Sequence, residues 1–67
     1  MSNKENYKHR IVYELINIED KIEDINKFLT ENKSISQKER DLLEEQVSSM
    51  YHYRDILIER ICMYLGD

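Results

Sequence analysis

Proline is absent from the 67-residue chain, and its single glycine, Gly66, stands next to the end. These are the two residues that most strongly break helices, so neither interrupts a helix between residues 4 and 65. The chain has one cysteine, Cys62, which excludes an intrachain disulfide. The apolar neighbours of Cys62 predict a reduced and buried thiol.

The sequence also lacks the features of a metal site, a membrane span and a DNA-binding surface. His9 and His52 are the only histidines, and neither has the spacing of a metal-ligand motif. No apolar run approaches the ~20 residues that cross a bilayer, and the first residues are too polar for a signal peptide. A net charge of −4 argues against binding to duplex DNA. We expect a soluble, cytoplasmic protein without metal, cofactor, membrane or duplex DNA partner.

Catalytic arrangements are also missing from the sequence. No serine or cysteine nucleophile accompanies a histidine and an acid, and no phosphate-binding loop is present. The acidic pairs at residues 19–20 and 23–24 are assigned to exposed faces of a helix, where they keep the chain soluble. The chain is therefore predicted not to be an enzyme, and no catalytic residue is assigned.

One polar segment, residues 30–36, gathers the residue types that end and cap helices. Ser36 with Glu39 has the pattern of a capping box, in which the serine hydroxyl accepts from a free backbone N–H at a helix start. Ser34 with Gln37 is a second, overlapping candidate. A single continuous helix is the alternative fold, but it leaves this capped break unexplained.

The break predicts an all-α protein, an antiparallel two-helix hairpin that forms one domain over residues 1–67. The first helix is expected at about residues 6–30, the turn at about 31–35 and the second helix at about 37–65. Both helices carry stripes with alternating steps of four and three residues, the heptad pattern of lengthwise packing. The first stripe contains Ile11, Leu15, Ile18, Ile22, Ile25 and Leu29. The second contains Glu39, Leu43, Gln46, Met50, Tyr53, Leu57, Arg60 and Tyr64.

The two stripes fit each other when facing residue numbers sum to 68, as in the pairs Ile25 with Leu43 and Ile11 with Leu57. In this register Gln46 is a polar residue of the seam, which can fix the pairing. The register also brings the two chain ends together, at what we call the open end.

Apolar residues predict that several copies meet at the open end. The second helix is apolar nearly all round at residues 56–65, and such a helix is normally buried. We expect a homo-oligomeric helical bundle, from dimer to hexamer, in which the following residues join the copies: Val12, Ile16, Ile58, Cys62 and Leu65. A frayed open end is the alternative.

The open end also gathers the candidate ligand-binding residues, which are Tyr7, Arg10, Glu14, Tyr53, Arg60 and Tyr64. Arg60 lies on the predicted seam opposite Lys8, and two adjacent cations repel unless an anion neutralises them. Guanidinium groups bind phosphates and tyrosine rings stack on bases, so one interpretation is a pocket for an anionic, planar ligand such as a cyclic nucleotide. In the other interpretation Arg10 pairs with Glu14, Arg60 with a carboxylate, and the tyrosines belong to the core.

The spacing of residues across both helices resembles a family of short phage proteins related to a protein of a crAss-like phage. The first half of the match is Tyr7-x-x-Arg10-Ile11-x-x-Glu14, then Lys21-Ile22 and Phe28-Leu29. The second half is Glu39, Leu42-Leu43, Gln46, Met50, Tyr53, Leu57 and Arg60-Ile61. His52 and Arg54 depart from the pattern, since small or acidic residues are more usual there.

The resemblance implies a phage protein that acts in the cytoplasm of the bacterial host. In size and helical form the chain is also similar to phage sponges that sequester nucleotide signals of immunity, the anti-CBASS and anti-Thoeris proteins. This similarity implies counter-defence by nucleotide binding. The alternative is a phage protein that binds and inhibits a host protein through its helix faces.

Overall fold

A computed structural model of the chain describes the backbone of residues 3–66 and the side chains of residues 8–66. Helix α1 spans Asn3–Glu31 and helix α2 spans Gln37–Leu65. The two helices pack side by side in opposite directions, which confirms the predicted all-α hairpin. The molecule is a rod of 51 × 17 × 14 Å. In the part of the chain that the structure describes, neither helix is long and apolar enough to cross a membrane.

Residues in and beside the turn at 32–36 provide partners for backbone groups at both adjoining helix ends. The backbone N–H of Glu39 donates to the Ser36 hydroxyl at 3.1 Å, so Ser36 caps α2. The Arg40 guanidinium reaches across to α1 and donates to the carbonyls of Leu29 at 3.4 Å and Asn32 at 3.2 Å. Because α1 has no basic residue in its last turn, Arg40 supplies the positive charge that the helix C-terminus favours.

The stripe of α1 packs against α2 as predicted. Ile11 and Ile22 are buried, and the remaining four members are half-buried, namely Leu15, Ile18, Ile25 and Leu29. Steps of four and three residues keep these side chains on one side of the helix, so they form a continuous apolar ridge.

The residues of α2 that face α1 differ from the predicted stripe at every second position. Val47 is buried and Gln46 is exposed, so the prediction of Gln46 as a seam residue was wrong. Arg40 and Arg54 are half-buried on the same side as Val47. The physical reason is that arginine buries its aliphatic stem while its charged end reaches polar atoms, so the stripe can include arginines and still bury Val47.

The pairing of the two helices also differs from the predicted register, in which facing residue numbers sum to 68. The numbers of the residues joined by cross-helix hydrogen bonds sum to 67 for Glu14 with Tyr53, but to 77 for Asn26 with Tyr51. The contacts of Lys8 with Tyr64 and of Arg40 with Asn32 both sum to 72, midway between these two values, so the pairing of the helices is displaced from the predicted sum of 68. Cys62, predicted to be buried, is exposed in the single chain, because it lies outside the seam of α2.

Candidate functional site

The structure brings two of the predicted ligand-binding residues into direct contact. The Tyr53 hydroxyl donates to the Glu14 carboxylate across the two helices. Arg10 is exposed and forms no hydrogen bond or ion pair with any residue that the structure describes. The Glu14 carboxylate is therefore held by the tyrosine of α2 rather than by the arginine one turn away on α1.

The structure describes two more of the predicted residues, both on α2. Arg60 and Tyr64 are half-buried on α2. The Tyr7 side chain lies outside the described residues. The Lys8 ammonium donates to the Tyr64 carbonyl at 3.4 Å, in the last turn of α2. A cation at that position is favoured by the helix dipole, so Lys8 has a structural partner at the open end.

The open end has two opposite flanks. We call the side with Arg10, Glu14, Tyr53 and Arg60 the basic flank. We call the side with Val12, Ile16, Ile58, Cys62 and Leu65 the apolar flank. Residues two apart in an α-helix point about 200° away from each other.

The spacing of the residues separates the two flanks. Val12 is two residues from both Arg10 and Glu14, so it points to the other side of α1. On α2, Ile58 is likewise two residues from Arg60. The residues predicted to join copies and those predicted to bind ligand therefore face opposite directions at the same end of the hairpin.

A small pocket lies on the apolar flank. Its volume is about 50 Å³, and its lining residues are Lys8, Val12, Ile61, Tyr64 and Leu65. Binding sites for small molecules typically have volumes of about 300–1,000 Å³. This pocket is therefore too small for a nucleotide, and it indicates a packing surface instead.

A larger groove, which we call the Arg54 groove, continues the apolar side of the hairpin toward the turn. Its volume is about 620 Å³, and it is open to solvent along its length. On α1, steps of seven and four residues separate Val12, Glu19 and Glu23. These steps keep the three side chains on one side of the helix, so the groove lies on the same side as the apolar flank. The α2 wall of the groove contains Tyr51 and Arg54.

Four side chains are tied together here, and three of them line the groove. The Arg54 guanidinium lies over the Tyr51 ring at 4.8 Å from its centroid, a cation–π contact. An Arg54 Nη2 atom also pairs with the Asp55 carboxylate at 3.2 Å. The Asn26 side-chain amide donates to the Tyr51 hydroxyl at 3.3 Å. The result is a guanidinium, an aromatic ring and an amide in fixed mutual positions.

The Arg54 Nε atom is buried and has no hydrogen-bond partner among the described residues. A buried donor without a partner is costly, so its presence calls for a physical explanation. Sequence reasoning missed this site because it assigned Tyr53, not Arg54, to the seam. The position of Val47, seven residues before Arg54, was the signal that could have revealed it.

Among the described residues, no group of three or more histidine, cysteine or acidic side chains is placed to hold a metal ion. The arrangements that the structure does provide are the Glu14–Tyr53 contact with Arg10 beside it, and the Arg54 groove. Both combine cationic and aromatic groups, which can bind anions and planar rings.

Comparison with known proteins identifies one family. The chain matches no curated protein and no solved structure. The profile of the Sequestin family matches residues 5–63, which include most of both helices and the whole turn. Since this match covers nearly the entire chain, the protein belongs to the Sequestin family.

Proposed function

We propose that this chain is a phage counter-defence protein that binds and sequesters a nucleotide immune signal in the bacterial cytoplasm. The observation that carries the proposal is membership of the Sequestin family, whose name denotes sequestering. The cationic and aromatic groups of the hairpin support it, because guanidinium groups bind phosphates and tyrosines stack on bases. A sponge of this kind needs affinity and copy number but no catalytic residue.

On this proposal the ligand lies on the basic flank. Arg10 and Arg60 bind phosphate oxygens, while Tyr7 and Tyr53 stack on the bases. The contact between Glu14 and Tyr53 supports this arrangement, since a carboxylate that accepts from the tyrosine hydroxyl holds the ring in one position. Arg10 supports it as well, because its guanidinium is exposed at the edge of the site.

Homo-oligomerisation completes the proposal, and the exposed surface of the chain supports it. The single chain has 5490 Å² of accessible surface. A folded monomer of 8.2 kDa has about 4,500 Å². The excess of roughly 1,000 Å² exceeds the ~800 Å² that each partner buries in a standard interface. The apolar flank is the side on which a second copy packs most favourably, because burial of its aliphatic groups is worth ~1.5–3 kcal/mol each.

Because the two flanks face opposite directions, a dimer formed through the apolar flank leaves the basic flank open to solvent. Enclosing a ligand on the basic flank then requires a further copy, which favours an assembly larger than a dimer. A tetramer or hexamer that uses both flanks satisfies the two requirements together.

The oligomer is tested by a pair of matched substitutions. Ile56 and Ile58 are each 39% exposed, but they lie on opposite sides of α2. Ile58→Glu should lower the mass of the oligomer in light scattering, because it places an unpaired charge in the interface of the apolar flank. Ile56→Glu should leave that interface intact. A wild-type protein that is monomeric and fully helical at micromolar concentration contradicts the proposal.

The ligand site is tested by calorimetric titration of the purified protein with a cyclic dinucleotide. Arg60→Ala should lower affinity about tenfold or more, the effect of losing a charge-assisted hydrogen bond worth ~1.5–3 kcal/mol. The helical content should stay that of the wild type, because Arg60 is only half-buried. Lys38→Ala, which removes the same charge at an exposed position near the turn, is the control. Unchanged affinity together with a lowered melting temperature assigns Arg60 to the architecture.

Inhibition of a host protein through the helix faces is the second candidate. The observation that favours it is the exposure of large side chains outside the seam, among them Tyr13 at 67% and Met63 at 60%. Solvent-exposed aromatic and methionine side chains are common in protein interfaces. For this function, a host protein should bind the chain in a fixed ratio. Addition of nucleotides should not change the amount of that complex.

A further inference from the structure

The Arg54 groove provides a second set of ligand-binding groups, on the opposite side of the hairpin from the basic flank. We propose that this groove binds a ribonucleotide of low net charge through its phosphate, its ribose and its base. This site is separate from the basic flank, so an experiment can find binding at one site and no binding at the other.

The dimensions of the groove suit such a ligand. At about 620 Å³ it lies within the ~300–1,000 Å³ range of small-molecule sites. Its floor includes Ile22, one of the buried core residues, so the base of the groove is rigid and apolar. The groove therefore has an apolar floor bordered by polar groups, the composition that is typical of ligand sites.

Arg54 is the group that selects a phosphate. Its side chain is 31% exposed, so the guanidinium is partly desolvated and interacts more strongly with an anion than a surface arginine does. Stacking on Tyr51 and pairing with Asp55 fix its plane. The guanidinium has N–H groups beyond the one that pairs with Asp55, and these are the donors for a phosphate oxygen.

Tyr51 and Asn26 are the groups that meet a base. The Tyr51 side chain is partly exposed beside the guanidinium, so a planar ring can pack against the edge of the stacked pair. Asn26 uses one amide hydrogen on the Tyr51 hydroxyl. Its second amide hydrogen and its carbonyl oxygen are a donor and an acceptor for the edge of a base.

Carboxylates determine which nucleotides fit. Glu19 and Glu23 lie one turn apart on the α1 wall, and Glu31 lies near the turn. The lining also contains the cations Lys27 and Arg54, so its formal net charge is −1. This charge disfavours polyphosphates. Carboxylates also accept hydrogen bonds from ribose hydroxyls, as acidic residues do in dinucleotide-binding folds, so the groove should prefer ribose to deoxyribose.

The test uses nuclear magnetic resonance on the ¹⁵N-labelled full chain titrated with AMP. We expect saturable shifts of the Arg54 Nε–H and Asn26 side-chain amide signals. Deoxyadenosine monophosphate should bind several-fold more weakly, and ATP should bind no more tightly than AMP despite its greater charge. Arg54→Ala should weaken AMP binding about tenfold or more. The control Lys38→Ala should bind AMP as the wild type does.

A second variant keeps the test independent of folding, because Arg54 belongs to the seam. Glu19→Ala combined with Glu23→Ala changes only exposed side chains, so the hairpin should stay folded. This double variant should lose the preference for AMP over the deoxy form, and ATP should bind it more tightly than it binds the wild type. The proposal is overturned if AMP produces no saturable shift, if the shifts fall only on the basic flank, or if both sets of variants bind as the wild type does. Loss of cyclic dinucleotide binding in Arg60→Ala tests the basic flank separately.

Discussion

Leu57 is the side chain on which the stability of the hairpin should depend most. It is 0% exposed, the lowest exposure of the four buried apolar residues in the described core. Leu57→Ala removes its packing and leaves a cavity, which costs ~2–5 kcal/mol in well-packed cores. A single core of this size supplies only ~3–5 kcal/mol of net stability. A loss of about 3 from about 4 kcal/mol leaves roughly one molecule in six unfolded at room temperature.

Urea denaturation followed by helical circular dichroism measures this effect. The matched control is Leu42→Ala, since Leu42 is 56% exposed and its truncation should change the free energy of unfolding by well under 1 kcal/mol. Both variants are compared with the wild type at several protein concentrations, so that a change in association is separated from a change in packing. Equal destabilisation by the two substitutions would refute the packing described here.

Three further substitutions test the seam and the turn. Val47→Asn should destabilise the protein by ~2 kcal/mol or more because it buries a polar group, whereas Gln46→Asn should change stability by only a few tenths in the same urea titration. Ser36→Ala should cost ~1 kcal/mol through loss of the helix cap, while Ser34→Ala should be nearly neutral in thermal melts. Arg40→Gln should cost about 1–2 kcal/mol, because two carbonyls at the end of α1 lose a charged donor, and a melting temperature equal to that of the wild type contradicts this role.

The sequence predicts the hairpin well because two kinds of signal agree. The apolar stripe of α1 has one pattern that fits a helix, and the capped polar break leaves one place for the turn. Which serine caps α2 was less certain, since Ser34 and Ser36 both have a suitable partner three residues later. The structure selects Ser36, whose hydroxyl accepts from Glu39.

The face of α2 could not be fixed in the same way, because two stripes compete. One contains Gln46 and Tyr53, and the other contains Val47 and Arg54. Each stripe contains two charged residues, Glu39 and Arg60 in the first and Arg40 and Arg54 in the second, so charge does not choose between them. In three dimensions the gain from burying Val47, and the freedom of Arg54 to place its guanidinium at the edge of the seam, favour the second.

The candidate sites follow from that difference. Glu14 and Tyr53 were predicted to share a site, and they are in contact. The Arg54 groove was not predicted, because it depends on three residues that come together only when α2 presents Val47 to α1. The division of the open end into two flanks could have been read from the two-residue spacing of Val12 and Glu14, since such residues cannot share a helix face.

Sequestration of a nucleotide by this chain, as proposed above, is best tested by identifying what the protein retains when it is purified from bacteria that produce the immune signal. The protein is washed, denatured by heat and filtered, and the released material is examined by ultraviolet absorption and mass spectrometry. We expect a nucleotide to be released in a fixed ratio to the protein oligomer. Purified oligomer that releases no nucleotide, and that binds none when the signal is added back, would contradict it.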